Sequence, residues 1–262
     1  MSDVVPADIQ TTHILDLAAA GKRVDGRALD EYRPNSLEPG FVATADGSAL
    51  VRLGETMVLA GIKLELGKPF PDTPNAGVLT TNAELVPLSS PTFEPGPPTP
   101  GAVEVSRVVD RSIRAAEVVD LASLCVTPGE KTWVCYVDVH MLGHAGNLID
   151  AAQLAAVAAL SGATVPAKRF GVADADYPLP IHHRPVECTF VRLGEAIVVD
   201  PTFDEERAAQ GRLTVATDEA GRVVAMQKGS VGAFSPDDVK DVVRRALRHG
   251  DRLRALARGG SA

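Results

Sequence analysis

A glycine turn at 143–147, Gly-His-Ala-Gly-Asn, joins an alternating apolar segment to an alanine-rich run. A turn of this kind can hold phosphate, because backbone N–H groups of the turn and of the following helix point at the anion. Such a site also needs a hydroxyl and a cationic side chain, and Leu148 and Ile149 stand where these would come. His144 could donate one hydrogen bond, but a single histidine at a strand end is more often paired locally. The residues alone therefore indicate a structural turn.

The acidic segment from Asp200 to Glu206 is a second place where side chains could do chemistry. Clustered carboxylates at a strand end can bind Mg²⁺ or act as general acid and base. The alternative is a solubilising turn into a short helix, because the first turn of a helix favours acidic residues. No partner base, nucleophile or second acidic cluster lies nearby in the sequence. We therefore favour the turn and predict neither a metal site nor a cofactor.

Arginines recur at 107, 111 and 114 in a segment with helical periodicity. At about 100° per residue, Arg107, Arg111 and Arg114 fall on one face of the helix, and apolar side chains fall on the opposite face. Planar guanidinium groups in a row could bind successive phosphates in a bidentate manner. The alternative is a solvated face on which the arginines pair with Glu104 and Asp110 at i,i+3 and i,i+4. Taken alone, the segment favours the solvated face.

Hairpins and helices are predicted to position these residues. A helix stopped at Gly21 is expected near the N-terminus, with Thr11 or Thr12 as its cap, and a helix capped by Ser235 is expected to end near 257. The prolines and glycines of 91–101 predict a rigid loop. The other expected elements are an antiparallel meander in 40–67, a hairpin at 191–201, strands at 78–88, 132–142, 212–218 and 222–228, and helices at 102–120 and 149–160.

The sequence Val-Arg-Leu-Gly-Glu occurs twice, at 51–55 and at 191–195, and apolar residues follow each copy. Both copies fall on a predicted strand-turn-strand unit, which indicates an internal duplication. The chain is therefore predicted to be an α+β protein, a single domain built of two related strand-then-helix halves, about 20–165 and 166–257. Residues 258–262 are expected to form a disordered tail.

Composition narrows the class of protein. The chain has 262 residues, of which 45% are hydrophobic and 23% charged, so it can bury a substantial core. It shows no signal peptide and no apolar run of the roughly 20 residues that a membrane span needs, so a cytoplasmic location is expected. The formal net charge of -8 gives no overall attraction for nucleic acid, and any polyanion must meet a local basic patch. Cys125, Cys135 and Cys188 are expected to be buried thiols.

Short motifs are spread in order over nearly the whole chain. They are RVDGR at 23–27 with Tyr32-Arg33, DGSALVRLG at 46–54, PFPDTPNAG at 69–77, FEPGPP at 93–98, SRVVDRSIR at 106–114, GNLIDAA at 146–152, VVDP at 198–201 and AMQKG at 225–229. Together they resemble the RNase PH family, and within it the non-catalytic ring subunit of the archaeal exosome. The resemblance implies an RNase PH-type duplicated βαβα fold of the ribosomal protein S5 domain 2-like type, with N- and C-terminal helices.

The resemblance also implies partners and an activity. Ring subunits of this kind pair with a catalytic RNase PH-type subunit, and three such heterodimers form a hexameric ring that carries RNA-binding cap subunits on one face. The ring degrades single-stranded RNA phosphorolytically in the 3′-to-5′ direction and threads it through a central channel. On this basis the chain is expected to take part in RNA degradation and RNA processing.

The family's site residues, carried over by position, separate what the chain keeps from what it lacks. The Asp-Gly-Gly-Ser/Thr-Arg segment that holds phosphate in active members falls on 145–149, which keeps one glycine but neither the hydroxyl nor the arginine. A pair of aspartates in active members falls on Asp200 and Glu206 of this chain. Without a phosphate site, the resemblance implies that these two acids are vestigial.

Arg107 and Arg111 match arginines that the family uses to hold RNA near the active site, and Arg114 is a third candidate. The favoured hypothesis is a non-catalytic RNA-binding scaffold. The alternative is an active phosphate-dependent 3′-to-5′ exoribonuclease, with Asp200 as general acid and an unusual phosphate site around Asn147. We favour the scaffold because losing charged phosphate contacts removes more transition-state stabilisation than a helix dipole can replace. A purely structural ring spacer is the remaining alternative.

Overall fold

The computed structural model describes residues 8–257. In this range the helices are α1 (Asp8–Ala19), α2 (Pro100–Ala115), α3 (Leu148–Ser161), α4 (Phe203–Ala208) and α5 (Pro236–Ala257). The strands are β1 (Asn35–Pro39), β2 (Gly47–Leu53), β3 (Thr56–Gly67), β4 (Val78–Leu85), β5 (Cys125–Thr127), β6 (Lys131–Gly143), β7 (Thr164–Val165), β8 (Tyr177–Pro178), β9 (Val186–Leu193), β10 (Ala196–Val199), β11 (Gly211–Thr217) and β12 (Val223–Gly229).

Two sheets enclose the core. The first has the strand order β1-β2-β3-β6-β4, with β5 paired to β6, and its β4–β6 pair is parallel. The second is antiparallel, with the order β10-β9-β11-β12. Helix α3 packs against β2, β3 and β9, so it lies between the sheets. Helix α2 lies along the outer strand β4 and also contacts β12. This α+β arrangement confirms the predicted fold class.

The alanine-rich helix α3 is the centre of the molecule. All of its residues from 148 to 160 are buried, and all of them except Asp150 and Gln153 are apolar, which fits a helix between two layers of structure. Small side chains let the neighbouring strand approach closely: a Cβ added to Gly47 of β2 would lie 2.6 Å from the Ala159 carbonyl oxygen. The start of α3, and the glycine turn before it, are therefore held in place by both sheets.

The repeated pentapeptide forms the same hairpin in both sheets. In the first sheet a two-residue loop, Gly54-Glu55, joins β2 to β3, with Leu53 opposite Thr56. In the second, Gly194-Glu195 joins β9 to β10, with Leu193 opposite Ala196. Each loop glycine has a positive φ, 56° and 62°, which a tight hairpin loop demands and which glycine adopts without strain. The copies of Val-Arg-Leu-Gly-Glu are therefore structurally equivalent.

Most predicted elements are present, but several ends differ. Helix α1 begins earlier than predicted, so Thr11 and Thr12 lie inside it and neither is its cap. Helix α2 begins after Thr99, whose hydroxyl accepts a hydrogen bond from the Ala102 N–H. It ends at Ala115 instead of near 120, shortly before Glu117 turns the chain with a φ of 50°. Strand β1 was not predicted.

Other expectations concern the thiols, the chain end and the two halves. Cys135 and Cys188 are buried, but Cys125 is only half-buried, so the expected burial of all three thiols was wrong. The predicted tail at 258–262 lies outside the described residues. None of the helices described here combines the length and apolar character needed to span a bilayer. The boundary between halves near 165 stays a prediction.

Candidate functional site

Asp200, the first candidate acid, is fully buried just after β10. Its carboxylate accepts five hydrogen bonds. Arg33 donates to both carboxylate oxygens, with Nη2 2.7 Å from Oδ1 and Nε 2.9 Å from Oδ2. Arg27 Nη1 lies 2.9 Å from Oδ2, and Asn147 Nδ2 lies 2.8 Å from Oδ1. Asp200 therefore serves as the counter-ion of two buried guanidinium groups.

A second buried ion pair continues this network. Arg23 donates from Nε to Oε1 of Glu205 at 2.8 Å and from Nη1 to the Val199 carbonyl at 2.8 Å. Glu205 also accepts from the Thr202 N–H at 2.8 Å, which completes a capping box at the start of α4. The N-terminal segment that contains Arg23, Arg27 and Arg33 is thereby attached to the acidic segment. Asp200 and Glu205 of the acidic segment thus stabilise the fold by binding buried arginines.

The glycine turn is packed against the start of α4. Gly146 has a φ of 97°, and a Cβ added to it would lie 2.4 Å from the Phe203 nitrogen, so a side chain has no room there. Thr56 Oγ1 donates to the Gly146 carbonyl at 2.6 Å. Arg33 Nη1 donates to the Ala145 carbonyl at 2.9 Å, and the Phe203 N–H donates to the same oxygen at 3.0 Å. The carbonyl groups of the turn are therefore paired within the protein.

The backbone amide at the start of α3 binds a carboxylate of the protein itself. Asn147 occupies the N-cap position with a left-handed φ of 55°, and its N–H donates to Oε1 of Glu206 at 2.9 Å. Burial raises the pKa of Glu206 to about 7, although this hydrogen bond and the nearby charge of Arg212 act in the opposite direction. A carboxylate is an anion, and here it stands where a helix N-terminus would bind phosphate.

His144 is paired locally. Its ring stacks on Phe93 with a centroid distance of 5.4 Å and meets Phe203 edge-on at 4.9 Å. The Gly146 N–H lies 3.3 Å from its Nδ1. Burial, and then the charge of Arg33, lower the pKa of the imidazole, so the ring is held neutral and between aromatic neighbours.

Asp150 is a buried acid in the first turn of α3, where its position at a helix N-terminus predicts a structural role instead of chemistry. It accepts from the Tyr32 hydroxyl at 2.8 Å, from Asn147 Nδ2 at 2.8 Å, and from the Thr189 N–H and hydroxyl at 3.0 and 2.7 Å. Burial raises its pKa to about 6 in spite of these donors. Asp150 thus joins the segment before β1, the start of α3 and strand β9 of the second sheet.

The three arginines of α2 are exposed, while the opposite face of this helix is buried. They border an open groove of about 1200 Å³ between α2, the outer strand β4 and Gln227 of β12. We call Arg107, Arg111 and Arg114 the arginine surface. The sequence-predicted spacing therefore places all three side chains along one groove.

The arginines of this surface differ in their partners. Arg114 is bound to Asp110, with Nε 2.8 Å from Oδ2, and to the Leu79 carbonyl at 2.6 Å. Arg111 Nη2 lies 2.5 Å from Oε1 of Gln227. Arg107 forms no hydrogen bond or ion pair with the residues that the structure describes. Only Arg114 thus matches the solvated-face alternative, in which carboxylates on α2 neutralise the arginines.

Sequence reasoning missed the arginines that build the buried network, although Arg23, Arg27 and Arg33 lie in the motifs RVDGR and Tyr32-Arg33. Their buried acidic partners, Asp200 and Glu205, are more than 160 residues away in the chain, so spacing gives no signal for them. No group of three or more His, Cys, Asp or Glu side chains in the described range is arranged to hold a metal ion.

Comparisons with known proteins agree over almost the whole chain. Residues 31–166 match the pattern described as "3′ exoribonuclease family, domain 1", and residues 183–249 match domain 2 of the same family. The exosome complex component Rrp42 of Thermococcus kodakarensis is 48% identical, over 95% of this chain and 94% of that protein.

Two solved structures extend the likeness to three dimensions. A chain of the Archaeoglobus fulgidus exosome with RNA bound to the active site superimposes with a TM-score of 0.92, at 44% identity, over 94% of this chain and 97% of that one. A chain of an archaeal exosome core superimposes with a TM-score of 0.89, at 39% identity, over 96% and 97% of the two chains.

Proposed function

The chain belongs to the 3′ exoribonuclease (RNase PH) family, and from this premise we propose that it is a non-catalytic RNA-binding subunit of an archaeal exosome ring. In this role it helps to structure the active site of a catalytic partner and holds RNA there during 3′-to-5′ phosphorolysis. The observation that carries the proposal is the Glu206 carboxylate on the N-terminal amide of α3.

Phosphorolysis needs inorganic phosphate held next to the scissile bond and an acid that can give a proton to the leaving group. The amide of Asn147 that could bind the phosphate already binds Glu206. Asp200, the candidate general acid, is surrounded by donors and shielded from solvent. Leu148 and Ile149 are buried and offer no charge or hydrogen bond. These features support a subunit that does not catalyse the reaction.

RNA binding is assigned to the arginine surface. The net charge of -8 leaves no overall attraction for RNA, so a local groove with uncompensated positive charge has to provide it. Arg107 and Arg111 form no ion pair with a carboxylate among the described residues, whereas Arg114 is bound to Asp110. We therefore assign the main RNA contacts to Arg107 and Arg111 and a lesser one to Arg114.

The proposed partners follow from the relatives, which are named as exosome components or come from exosome core structures. We propose a heterodimer with a catalytic RNase PH-type subunit, three such pairs in a hexameric ring, RNA-binding cap subunits on that ring, and a cytoplasmic location. Copurification with a second chain of the same fold that carries the Gly-Ser/Thr-Arg segment would support this assembly.

The alternative function is an active phosphate-dependent 3′-to-5′ exoribonuclease. To separate the two, the purified chain alone is incubated with 3′-single-stranded RNA and inorganic phosphate, and nucleoside diphosphate release is measured. We expect no release above the enzyme-free blank, with the assembled ring as the positive control. Release that rises with phosphate concentration and is lost in a folded Asp200→Asn variant, which lacks the proposed general acid, would establish the alternative.

Replacing Arg107 and Arg111 together with alanine should weaken RNA binding by the assembled ring about tenfold or more, because two charge-assisted phosphate contacts are lost. The slope of log K against log salt concentration should also fall, by about 0.7 for each lost contact with single-stranded RNA. Binding is measured by fluorescence anisotropy. Arg244→Ala, which removes an exposed arginine of α5, is the matched control. Equal affinity of the double variant and the wild type would rule out this RNA surface.

A further inference from the structure

We propose that Arg212 and Gln227 of the second sheet are positioning residues for the arginine surface. They keep its positive charge uncompensated by carboxylates and its guanidinium groups oriented for RNA. The inference rests on the proposed function, because it assumes that Arg107 and Arg111 bind RNA. Arg212 lies on β11 and Gln227 on β12, and each contacts a side chain of α2. Neither residue belongs to the glycine turn, the acidic segment or the arginine surface itself.

Arg212 keeps the positive charge of Arg107 uncompensated, because it binds the neighbouring acid Glu104. Glu104 precedes Arg107 by three residues on the same helix, a spacing at which opposite charges pair on a helix surface. In the structure, however, the Glu104 carboxylate forms its ion pair with Arg212. Arg107 is left with no ion pair in the described part of the chain. Arg212 therefore removes the acid that would otherwise compete with RNA phosphate for Arg107.

The place of Arg212 is shaped by the backbone of β12. A Cβ added to Gly229 would lie 2.7 Å from Nη2 of Arg212 and 3.0 Å from its Cζ, so the guanidinium group lies directly against this glycine. The Arg212 Nε is buried and has no hydrogen-bond partner among the described residues. Because an unpaired buried donor is unfavourable, this side chain is placed at some cost to stability.

Gln227 acts on Arg111 in a different way. Its side-chain oxygen accepts from Arg111 Nη2 at 2.5 Å, which fixes the guanidinium group without cancelling its charge. On the same helix Arg114 shows the opposite arrangement, since Asp110 neutralises it. A neutral acceptor is the side chain that orients an arginine and leaves its charge free for a phosphate.

The test of Arg212 uses rescue. In the assembled ring, Arg212→Ala should weaken binding of a single-stranded RNA oligonucleotide several-fold and lower the salt slope by about 0.7, since Glu104 is then free to pair with Arg107. Adding Glu104→Ala to this variant should restore both the affinity and the slope. Arg192→Ala is the matched control, because it breaks a similar ion pair with Asp238 that lies outside the groove. Ring assembly and thermal unfolding are measured for every variant.

The test of Gln227 compares two substitutions. Gln227→Glu should lower affinity and reduce the salt slope by about 0.7, because the new carboxylate neutralises Arg111. Gln227→Ala should lower affinity less and keep the slope, because Arg111 loses only its orientation. The same result for both substitutions would overturn the role given to Gln227.

The outcomes also separate this inference from the proposed function. Weak binding by Arg212→Ala that Glu104→Ala does not restore would indicate a purely structural role for Arg212 and overturn the inference. Wild-type binding by Arg212→Ala, together with weak binding by the Arg107 and Arg111 double variant, would overturn the inference alone. If that double variant binds RNA like the wild type, the proposed RNA surface itself is wrong.

Discussion

Replacing Asp200 with asparagine is expected to lower the free energy of unfolding by about 3–5 kcal/mol, the range for breaking a buried ion pair from one side. Asparagine has nearly the same shape and accepts the left-handed φ of 49° at this position, so the change isolates the charge. Arg33 would lose its carboxylate partner while still buried, and Arg27 would keep Asp25 as its one carboxylate partner among the described residues. The NH₂ group of asparagine would also replace a carboxylate oxygen that accepts hydrogen bonds, and it would face N–H donors.

Urea unfolding of the purified variant and wild type, extrapolated linearly to water, measures this difference. Asp204→Asn is the control, because Asp204 is an exposed acid in the first turn of α4 and should change stability by less than about 0.5 kcal/mol. The result bears on function as well. Enzymes often gain stability when a strained catalytic group is removed. An unchanged or higher stability of Asp200→Asn would contradict the counter-ion role and favour the exoribonuclease alternative.

Local signals account for the elements that were predicted well. The alanine-rich run predicted a helix over 149–160, and α3 spans Leu148–Ser161 with Gly162 as its C-cap. Ser235 accepts a hydrogen bond from the Asp238 N–H at the start of α5, as its N-cap signal predicted. In both cases the residues that determine the helix ends lie within a few positions of the end itself.

Strand β1 shows why other elements escape a local reading. Its sequence, Asn-Ser-Leu-Glu-Pro, contains a proline and no alternation of apolar residues. The segment is a strand because β2 offers it an edge, with Asn35 opposite Leu53 and Pro39 opposite Ala49. Its extended conformation is therefore fixed by pairing, which no property of the segment reveals.

The candidate site was predicted in part for the same reason. The apolar types of Leu148 and Ile149 predicted that neither side chain is a ligand, and both side chains are buried in the core. The contact between Glu206 and the N-terminal amide of α3 could not be predicted, because Glu206 lies 59 residues from Asn147 in the chain. Likewise the spacing of Arg107 and Arg111 put them on one face, but only the fold brings Gln227 to that face.

Replacing Glu187 with glutamine is expected to raise the stability of the protein at neutral and alkaline pH. Glu187 lies on β9 with 2% of its surface exposed, and its Oε2 has no hydrogen-bond partner among the described residues. Burial raises its pKa to about 8, and the negative charge of Asp150 adds to the shift. The wild-type fold thus has to keep this acid protonated at neutral pH, whereas glutamine is neutral at every pH.

The sign of the effect follows from proton linkage. The folded-state pKa of Glu187 is about 8 against an ordinary value of 4.5, so the folded chain holds a proton that the unfolded chain releases between these values. Stability of the wild type therefore falls by up to about 1.4 kcal/mol per pH unit as the pH rises through this window. The variant lacks this contribution, and the difference between the two proteins reaches on the order of 3 kcal/mol at about pH 7.

Urea unfolding across the same pH window gives the test, with Glu195→Gln as control because Glu195 is exposed in the β9–β10 loop. Asp150 and Glu206 also have raised pKa values, so they contribute to the pH dependence of stability in every variant. The informative quantity is therefore the difference in unfolding free energy between variant and wild type at each pH. A difference that stays constant with pH would contradict a raised pKa of Glu187.

The charge of Arg111 lowers the pKa of Glu187, so Arg111→Ala should extend the wild-type slope of stability against pH to higher pH. That result would show that the arginine surface also offsets part of the cost of an acid buried beneath α2.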